Sequence, residues 1–526
     1  MSGKLARSVF ALLAAVATGL SAAAQWSPTQ EAVAQQDAVF AGSVEPCADG
    51  FAATYPCGNV DLLSFMSKAE LGVAEGSLND VWGWTDSQTG KEYALVGLSS
   101  GTGFVDISDP EAPWLVGTLP TQTLQSSWRD IKVYRDHALV VSEASGHGIQ
   151  VFDLTQLRNV TVKPVTFSPT AVYTGVGSSH NIFVNEESGF AYAVGSRGGD
   201  LANCGPGLHI VDVRTPEQPT FAGCFAHAGT GRAGSGYSHD VQCVIYDGPD
   251  TDHTGREICF GSNETAISIA DVTDKQAPFA ISLATYPISQ NTYVHQGWLT
   301  EDHRYFLQND ELDERNGLVS LTTTRIWDVA DLDAPFLLTT YEGPSGAIDH
   351  NLYVLGSWVY MANYQSGLRV VDLTDILNPR EIAFFDTFPS SDAAGFSGAW
   401  STYPYFASGS VLISSIGEGL FVVRPPLNKT NVDDEDPNGP AASLNIFPNP
   451  FADVALAALR LSEPDEIRAT VYDILGRRVI EVGPIRLPQG VTRGIPIDAA
   501  GLPAGRYVLR VSGSSTILTR LITVVK

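Results

Sequence analysis

The stretch "GFVDISDPEAPWLVGTL" at residues 103–119 joins a short apolar run to a second one through an aspartate and a proline-containing turn. This order is typical of two β-strands in succession, because Asp, Asn and Pro close tight turns by side-chain hydrogen bonds and a fixed φ. We predict that Asp106 caps the backbone N–H groups of this turn. The pattern recurs at residues 148–157, 207–225, 266–286, 324–341, 367–386 and 419–426.

The aspartate is kept in five of these six further copies and is lost from the last. It stands at Asp153, Asp212, Asp271, Asp328 and Asp372, so successive aspartates are 44 to 59 residues apart. A period of this size, filled with short strands, indicates a β-propeller with four strands in each blade. Seven copies predict seven blades. The last copy has no fourth strand, and we predict that "NVDLLSFM" (59–66) supplies it and closes the ring.

The composition agrees with an all-β chain and limits its partners. The 526 residues include 50 Gly and 30 Pro but only 3 Met, which favours turns and short strands over helices. The net charge is −27. Nucleic acid and anionic membrane surfaces are therefore disfavoured as partners, because no basic patch is available to neutralise phosphates.

The N-terminus has the features of a secretory signal peptide over residues 1–24. Lys4 and Arg7 precede an apolar run at 9–20, which is too short to span a bilayer, and small residues then offer cleavage after Ala24. No other stretch is long and apolar enough for a transmembrane helix, so none is expected after signal removal. In an exported chain we expect three local disulfides. The pairs are Cys47 with Cys57, Cys204 with Cys224 and Cys243 with Cys259.

Whole phrases of the chain resemble those of a known family. "CADGFAATYPCGNVDLLS" (47–64), "HNIFVNEESGFAYAVG" (180–195) and "GPDTDHTGREICFGSNE" (248–264) closely resemble the choice-of-anchor B family, exported bacterial proteins that carry LVIVD-type propeller repeats. The resemblance covers residues 46–424. It implies a β-propeller and an extracellular location, but it brings no settled reaction.

Residues 442–526 read as a separate domain after a linker at 425–441. Alternating apolar strands with Gly and Pro turns predict a small immunoglobulin-like β-sandwich. The domain resembles the type A sorting domain of the type IX secretion system, through Asn449-Pro450, "DILGRRV" (473–479) and the basic C-terminus. The resemblance implies that the secretion machinery is a partner, and that the domain is then removed or replaced by a surface anchor. The alternative is an ordinary adhesive module.

Four apolar strands open on a histidine, in "SHNIFV" (179–184), "SHDVQC" (238–243), "VHQGWL" (294–299) and "DHNLYV" (349–354). The first strand of a propeller blade lines the central channel and the second returns antiparallel to it, so their start and end share one face. We therefore expect a polar ring at one mouth of the channel. Its candidate ligand-binding residues are Arg129, Asp130, Glu143, His180, Arg197, His239, Asp240, Glu264, His295, Asp310 with its neighbour Glu311, and His350.

Imidazoles and carboxylates in one ring suit a divalent transition metal, with His180, His239, His295 and His350 as its ligands. They equally suit general acid–base chemistry. The structural alternative is that these side chains hydrogen-bond to the backbone of the next blade.

An acidic loop, "DGPDTDHTGRE" (247–257), offers oxygen ligands for calcium without the spacing of an EF-hand. Its candidate ligands are Asp247, Asp250, Asp252 and Glu257. The alternative is a solvated turn at the tip of a hairpin held by Cys243 and Cys259. The loop "NDELDERNG" (309–317) allows the same two interpretations.

Three functions remain open for the exported chain. The first and favoured one is a binding or interaction propeller at the cell surface or in the medium, with a protein or carbohydrate ligand. The second is a metal-dependent hydrolase or lyase that uses the histidine and carboxylate ring. The third is a purely structural surface protein. A propeller fold alone does not choose among them, so enzymatic activity is left open.

Overall fold

The computed structural model describes residues 44–162, 164–200, 204–286, 293–425, 443–447, 451–452, 454–461, 464–472, 477–487, 493–514 and 517–525. Within these ranges the chain is all-β, with short 3-10 helices at Leu154–Asn159 and Thr251–His253. None of the described helices has the length and apolar character needed to cross a bilayer. The predicted signal peptide, residues 426–441 of the predicted linker, and Asn449-Pro450 lie outside the described residues.

The described strands between residues 44 and 425 form seven sheets, numbered here by the order of their first strands. Sheet 1 contains β4 (Leu78–Thr85), β5 (Glu92–Leu98), β6 (Gly101–Asp106), β7 (Trp114–Pro120) and the short β11 (Val165–Thr166). Sheet 2 contains β8 (Arg129–Tyr134), β9 (His137–Ser142), β10 (Ile149–Asp153) and β12 (Ala171–Tyr173). Sheet 3 contains β13 (Asn181–Asn185), β14 (Phe190–Val194), β15 (Leu208–Asp212) and β16 (Thr220–Phe225).

The remaining four sheets follow the same antiparallel order. Sheet 4 contains β17 (Asp240–Ile245), β18 (Glu257–Ser262), β19 (Ile267–Asp271) and β20 (Phe279–Ala284). Sheet 5 contains β21 (Val294–Leu299), β22 (Tyr305–Asp310), β23 (Thr323–Asp328) and β24 (Phe336–Glu342). Sheet 6 contains β25 (Asn351–Leu355), β26 (Trp358–Ala362), β27 (Leu368–Asp372), β28 (Arg380–Phe385), β2 (Tyr55–Gly58) and β1 (Phe51–Ala52). Sheet 7 contains β29 (Ala399–Tyr403), β30 (Val411–Ser415), β31 (Gly419–Arg424) and β3 (Asp61–Ser67).

The first strands of the seven sheets lie side by side in a closed circle. Each contacts the first strand of the next sheet, and β29 of sheet 7 returns to contact β4 of sheet 1. Between every two neighbouring sheets lies a cluster of buried apolar side chains. Successive residues of a strand point to opposite faces, so Phe306 packs toward sheet 4 while Leu307 packs toward sheet 6. Both faces of a sheet are therefore buried, which explains why the strands read as continuous apolar runs.

The circle is closed by strands from the two ends of this region. Strand β3 pairs antiparallel with β31, and the register matches Asp61 with Arg424 and Phe65 with Phe421. The rings of Phe65 and Phe421 pack at a tilt of 42° with their centroids 4.6 Å apart. The prediction that residues 59–66 supply the missing outer strand is confirmed.

The repeated aspartates cap turns in the predicted way. In each of the six repeats that keep it, one carboxylate oxygen accepts a hydrogen bond from the backbone N–H two residues later, at 2.9 to 3.0 Å. The acceptors are Asp106, Asp153, Asp212, Asp271, Asp328 and Asp372. The most regular polar residue of the chain is thus structural.

Replacing one of these aspartates is expected to cost a moderate amount of stability. Asp372→Ala removes the acceptor for the Thr374 N–H and should lower the free energy of unfolding by about 1–3 kcal/mol, as for a hydrogen bond to a charged group. Asp372→Asn keeps an acceptor oxygen and should lose less. Urea unfolding measures both, with exposed Asp392→Ala as control. An Asp372→Ala midpoint equal to that of the control would contradict the capping role.

The six cysteines pair as predicted. Disulfides join Cys47 to Cys57, Cys204 to Cys224 and Cys243 to Cys259. The first holds β1 and β2 near the outer edge of sheet 6, where β2 pairs with β28. The third links directly opposed residues of β17 and β18.

The C-terminal region forms two further sheets around one apolar core. The first holds β32 (Ser443–Phe447), β33 (Val454–Arg460) and β36 (Arg493–Asp498). The second holds β34 (Asp465–Tyr472), β35 (Arg478–Leu487), β37 (Gly505–Ser512) and β38 (Ile517–Val524). Leu444 and Ala457 of the first sheet share a buried cluster with Ile467 and Leu509 of the second.

Candidate functional site

The four predicted histidines lie in one continuous row at one end of the first strands. His180, His239 and His350 directly precede β13, β17 and β25, and His295 lies at the start of β21. The ring centroids are 4.2 Å apart from His180 to His239, 4.1 Å from His239 to His295 and 4.5 Å from His295 to His350. Residues far apart in sequence are therefore gathered into one rim, which we call the histidine row.

A β-bulge turns His295 toward its neighbours. The register of β21 on β22 pairs Val294 with Asp310 and Gln296 with Asn309, so His295 is left without an opposite residue. Trp400 is placed in the same way between the paired residues Ala399 and Ser401. A bulge re-aims a side chain without ending the strand, and such irregularities are common next to functional sites.

Backbone carbonyls of the following sheet fix three of the imidazoles. Nδ1 of His239 lies 2.9 Å from the carbonyl of His295, and Nδ1 of His295 lies 3.1 Å from that of His350. Nδ1 of His350 lies 2.6 Å from the carbonyl of Trp400. A carbonyl can only accept, so each Nδ1 carries the proton and each Nε2 presents a lone pair. The same bond that ties one sheet to the next therefore sets the tautomer needed by a metal ligand.

Glu311 faces the lone pairs of two of these rings. Its carboxylate lies 3.8 Å from Nε2 of His295 through Oε2 and 3.8 Å from Nε2 of His350 through Oε1. The Tyr364 hydroxyl donates to Oε1 at 2.7 Å and holds the side chain in place. One atom from each of His295, Glu311 and His350 lies within 4.8 Å of the others. Two metal–ligand bonds of about 2.1 Å at a tetrahedral angle span about 3.4 Å, so small rotations would let these three groups share one ion.

Burial keeps these imidazoles neutral. It lowers the pKa of His350 to about 3 and, with the neighbouring imidazoles, holds the pKa of His239 and His295 well below the usual value. Burial raises the pKa of Glu311 to about 7. Neutral imidazole is the form that coordinates metal ions.

Aromatic rings pack against the histidine row. The Tyr364 ring lies 4.4 Å from His350, and the Trp400 ring lies 5.0 Å from it. Tyr293 packs 5.3 Å from His239, and the Arg232 guanidinium lies 4.7 Å above the Tyr293 ring. Sequence reasoning did not include Tyr293 or Tyr364 among the site residues. Their signal is weak: Tyr293 lies two residues before His295, and Tyr364 lies two residues after the end of β26.

The predicted acidic residues of the ring divide into two groups. Glu143 contacts Nδ1 of His180 at 2.8 Å, and this hydrogen bond lowers the pKa of Glu143. Glu264 accepts from the Arg232 N–H at 2.7 Å. Asp310 instead points away from the histidines and accepts from the Tyr286 hydroxyl and the Tyr293 N–H. The structure thus places Glu311, and not Asp310, against the imidazoles.

Asp130 and Asp240 are buried on the inner strands. Asp130 accepts from the Ile182 N–H of the next sheet at 2.7 Å and pairs with Lys132 at 2.6 Å. Burial raises the pKa of Asp240 to about 7, and its carboxylate accepts from the Val241 N–H. Lys132 was missed by sequence reasoning, although a lysine inside the apolar run of β8 is itself a signal.

Within the described residues, neither predicted arginine contacts an imidazole of the histidine row. Arg129 is buried, and its guanidinium contacts the Leu98 carbonyl at 3.2 Å and Nε2 of His147 at 2.9 Å. The Arg197 side chain is exposed, and its charge contributes to the lowered pKa of Glu143. Arg129 is therefore part of the packing between sheets 1 and 2 and not of the histidine row.

The predicted calcium loop is not assembled as one site. Asp250 caps the short helix Thr251–His253 and accepts from the Leu332 N–H, while Asp247 pairs with His303. Asp252 is exposed. Glu257 is buried elsewhere, within reach of Asn185, Ser188, Tyr192 and Lys275. Three of the four carboxylates are thus engaged by separate partners within the fold.

Comparisons with known families identify two parts of the chain. The LVIVD repeat model matches residues 92–121 and 349–387. The model described as "Secretion system C-terminal sorting domain" matches residues 445–525. The chain therefore carries LVIVD repeats and a type IX sorting domain, which directs it to the cell surface or the outside of the cell. No curated protein sequence matches the chain.

Solved structures of low identity also align with the chain. The extracellular domain of BT4673 from B. thetaiotaomicron is 10% identical with a TM-score of 0.42, and the alignment covers 88% of this chain but only 58% of that one. The β-propeller domain of Cps50 (Swd1) from Myceliophteria thermophila is 11% identical with a TM-score of 0.43, covering 67% and 96%. A functionally unknown protein from Desulfotomaculum acetoxidans is 11% identical with a TM-score of 0.39, covering 60% and 87%.

Proposed function

We propose that this chain, which carries LVIVD repeats and a type IX sorting domain, is an exported seven-bladed β-propeller that acts as a surface binding module. In this proposal the propeller spans residues 46–424, the linker 425–441 and an immunoglobulin-like sorting sandwich 442–526. The seven sheets with first strands in a closed circle support the blade count. The two sheets around one core support the sandwich.

The binding site of the proposed module is the histidine row, with a divalent transition metal held by His295, Glu311 and His350. The observation that carries this proposal is the pair of imidazoles whose Nδ1 atoms are fixed by backbone carbonyls while their Nε2 atoms face one carboxylate. Two imidazoles and one carboxylate suit zinc or iron and leave coordination positions open. The side chains of His295 and His350 are 3% exposed and that of Glu311 is 17% exposed, so an extracellular protein or carbohydrate would reach those positions from the side of Glu311.

Metal uptake tests this proposal. The full chain, stripped with a chelator, is titrated with Co²⁺ by absorption spectroscopy and with Zn²⁺ by calorimetry. We expect one ion per chain, with affinity at least about 100-fold weaker in His295→Ala and in His350→Ala. Glu311→Gln keeps the shape of the side chain but removes its charge, and should weaken binding about 10- to 100-fold. His239→Ala leaves the three ligands intact and should have a smaller effect.

The matched control is His137→Ala. His137 lies at the far end of β9 from the Glu143 side, so its loss should leave metal affinity unchanged. Thermal melts of every variant separate lost binding from lost folding. The proposed metal site is wrong if the full chain takes up no stoichiometric metal, or if His295→Ala and His350→Ala bind metal as tightly as the parent. Either result would favour a purely structural role for the histidine row.

A metal-dependent hydrolase or lyase is the second candidate, because three protein ligands leave room for a metal-bound water. Glu311 would sit beside that water. Hydrolysis of chromogenic phosphate and carboxylate esters by the Zn²⁺-loaded chain tests it. A rate above background that is lost in His350→Ala would favour the enzyme over the binding module.

A further inference from the structure

A second cluster of carboxylates lies close in sequence to the histidine row but is separate from its three proposed ligands. Asp313 and Glu314 lie in the segment between β22 and β23, and Asp349 directly precedes His350 and β25. One oxygen from each of these three side chains lies within 4.8 Å of the others. We call this set the acidic cluster.

The acidic cluster is deeply buried and faces a single cation, and burial together with the neighbouring carboxylates raises the pKa of Glu314 and of Asp349. Asp313 and Asp349 are 0% exposed and Glu314 is 7% exposed. The Arg325 guanidinium contacts Asp313 at 2.8 Å and is the only cation that the described residues pair with the cluster. Three carboxyl groups thus face one guanidinium. Burying unpaired charges costs several kcal/mol per ion unless another charge or a proton compensates.

Two oxygens of the cluster have no hydrogen-bond partner among the described residues. They are Oδ2 of Asp349 and Oε2 of Glu314. The other oxygens of these side chains accept from the backbone, from the Asp310 N–H at 3.2 Å and from the Thr323 N–H at 2.9 Å. The backbone therefore holds the carboxylates of Glu314 and Asp349 in place through one oxygen each. The second oxygen of each group has no hydrogen-bond partner among the described residues. Buried polar atoms without partners are rare and costly, and a bound cation removes the cost.

We propose that Asp313, Glu314 and Asp349 bind one Ca²⁺ ion. The cluster offers oxygen only, which selects a hard cation and disfavours the transition metal of the histidine row. Mg²⁺ keeps several of its waters and needs near-octahedral geometry, whereas Ca²⁺ accepts mono- or bidentate carboxylates in flexible arrangements. An exported chain meets the millimolar calcium to which extracellular modules are tuned.

The proposed ion would join two sheets beneath the histidine row. Asp313 and Glu314 lie in the connection between two strands of sheet 5, and Asp349 leads into sheet 6. Glu311 and His350 lie within three residues of the cluster on either side. Calcium would therefore stabilise the fold and hold the segment that carries Glu311.

Calcium and terbium titrations of the full chain test the proposal. Tb³⁺ takes Ca²⁺ sites, and its luminescence is excited by nearby aromatic rings. Tyr286 lies 4.3 Å from the Arg325 guanidinium and 6.3 Å from the Trp327 ring, so excitation at 280 nm should sensitise an ion held next to Arg325. We expect one Ca²⁺ per chain, a melting temperature raised by several degrees in calcium, and displacement of Tb³⁺ by Ca²⁺.

The variants Asp349→Asn and Glu314→Gln keep the shape of the side chains and should weaken calcium binding at least tenfold. Asp392→Asn, on an exposed residue outside the cluster, is the matched control. The measurements are repeated in His295→Ala to exclude the histidine row as the calcium site. The proposal is overturned if the full chain takes up no calcium, or if Asp349→Asn responds to calcium like the parent. It is also overturned if Asp349→Asn raises the melting temperature while calcium has no effect, since the carboxyl groups then share protons instead.

Discussion

Deletion of residues 46–67 is expected to abolish the cooperative unfolding transition of the seven-sheet region. The deletion removes β1, β2 and β3, and β3 alone buries Leu62, Leu63, Phe65 and Met66 against sheets 6, 7 and 1. At about 1.5–3 kcal/mol for each fully buried apolar side chain, the loss is comparable to the whole stability of about 5–15 kcal/mol of a typical domain. It also leaves β31 with an unpaired edge and opens the circle. Calorimetry of the full chain against the deletion measures the effect.

Two controls separate the strand from the disulfide that precedes it. The double variant Cys47→Ser, Cys57→Ser keeps β3 and should retain a cooperative transition, although at a lower temperature. A synthetic peptide of residues 46–70, added to the deletion variant, should restore the transition in a concentration-dependent way. A deletion variant that melts like the parent would show that β3 does not close the ring.

Lys132→Met is expected to lower the free energy of unfolding by about 3–5 kcal/mol at neutral pH, because it removes the cation that pairs with the buried carboxylate of Asp130. Lys132 lies 2.6 Å from Asp130 and 3.6 Å from Asp80, and all three side chains are buried. Burial raises the pKa of Asp80 well above its usual value. Burial also opposes the charge of Asp130, but Lys132 and the hydrogen bonds that Asp130 accepts lower its pKa. Asp130 is thus the ionised member that the substitution leaves unpaired.

The pH dependence gives the sign of the effect. Without Lys132 the folded pKa of Asp130 rises above its unfolded value of about 3.9, so the penalty is present at neutral pH and fades as the pH falls toward that value. The stabilities of variant and parent should therefore converge in acid. Lys91→Met is the matched control, because Lys91 pairs with Asp106 at a similar 2.8 Å but is 46% exposed, and it should lose at most about 1 kcal/mol. A pH-independent loss in Lys132→Met would indicate lost packing over the Trp82 ring instead.

Local chemistry and the repeat period made much of this fold predictable. Five of the six repeated aspartates are followed within seven residues by a proline, so their turns could be predicted from the local sequence, whereas the Asp153 turn lacks the proline. The gathering of His180, His239, His295 and His350 followed from the period alone, since side chains at one position of a repeat meet when the repeats stand side by side. The closing strand was found by asking which copy lacked a partner.

The details of the site could not be read in the same way. Which of Asp310 and Glu311 faces the imidazoles depends on a one-residue register choice at a bulge, and such a slip sends a side chain to the other face. The carbonyls that fix the ring nitrogens belong to neighbouring sheets, so no local sequence pattern predicts these hydrogen bonds. The acidic cluster was visible only as an ambiguous loop, because Asp349 joins it from a different sheet.

The pairing of Asp61 with Arg424 also sets an order of maturation. Nearly the whole of the seven-sheet region lies between these two residues, so a nascent or half-exported chain cannot complete the circle. Under our proposal the ligands of the histidine row come from sheets 5 and 6, so they meet only once both of these sheets have formed. Loading would then wait until residues 294–385 are available to fold. If the chain crosses the inner membrane unfolded, the identity of the bound ion is decided by the metals outside the cytoplasm and not by those inside it.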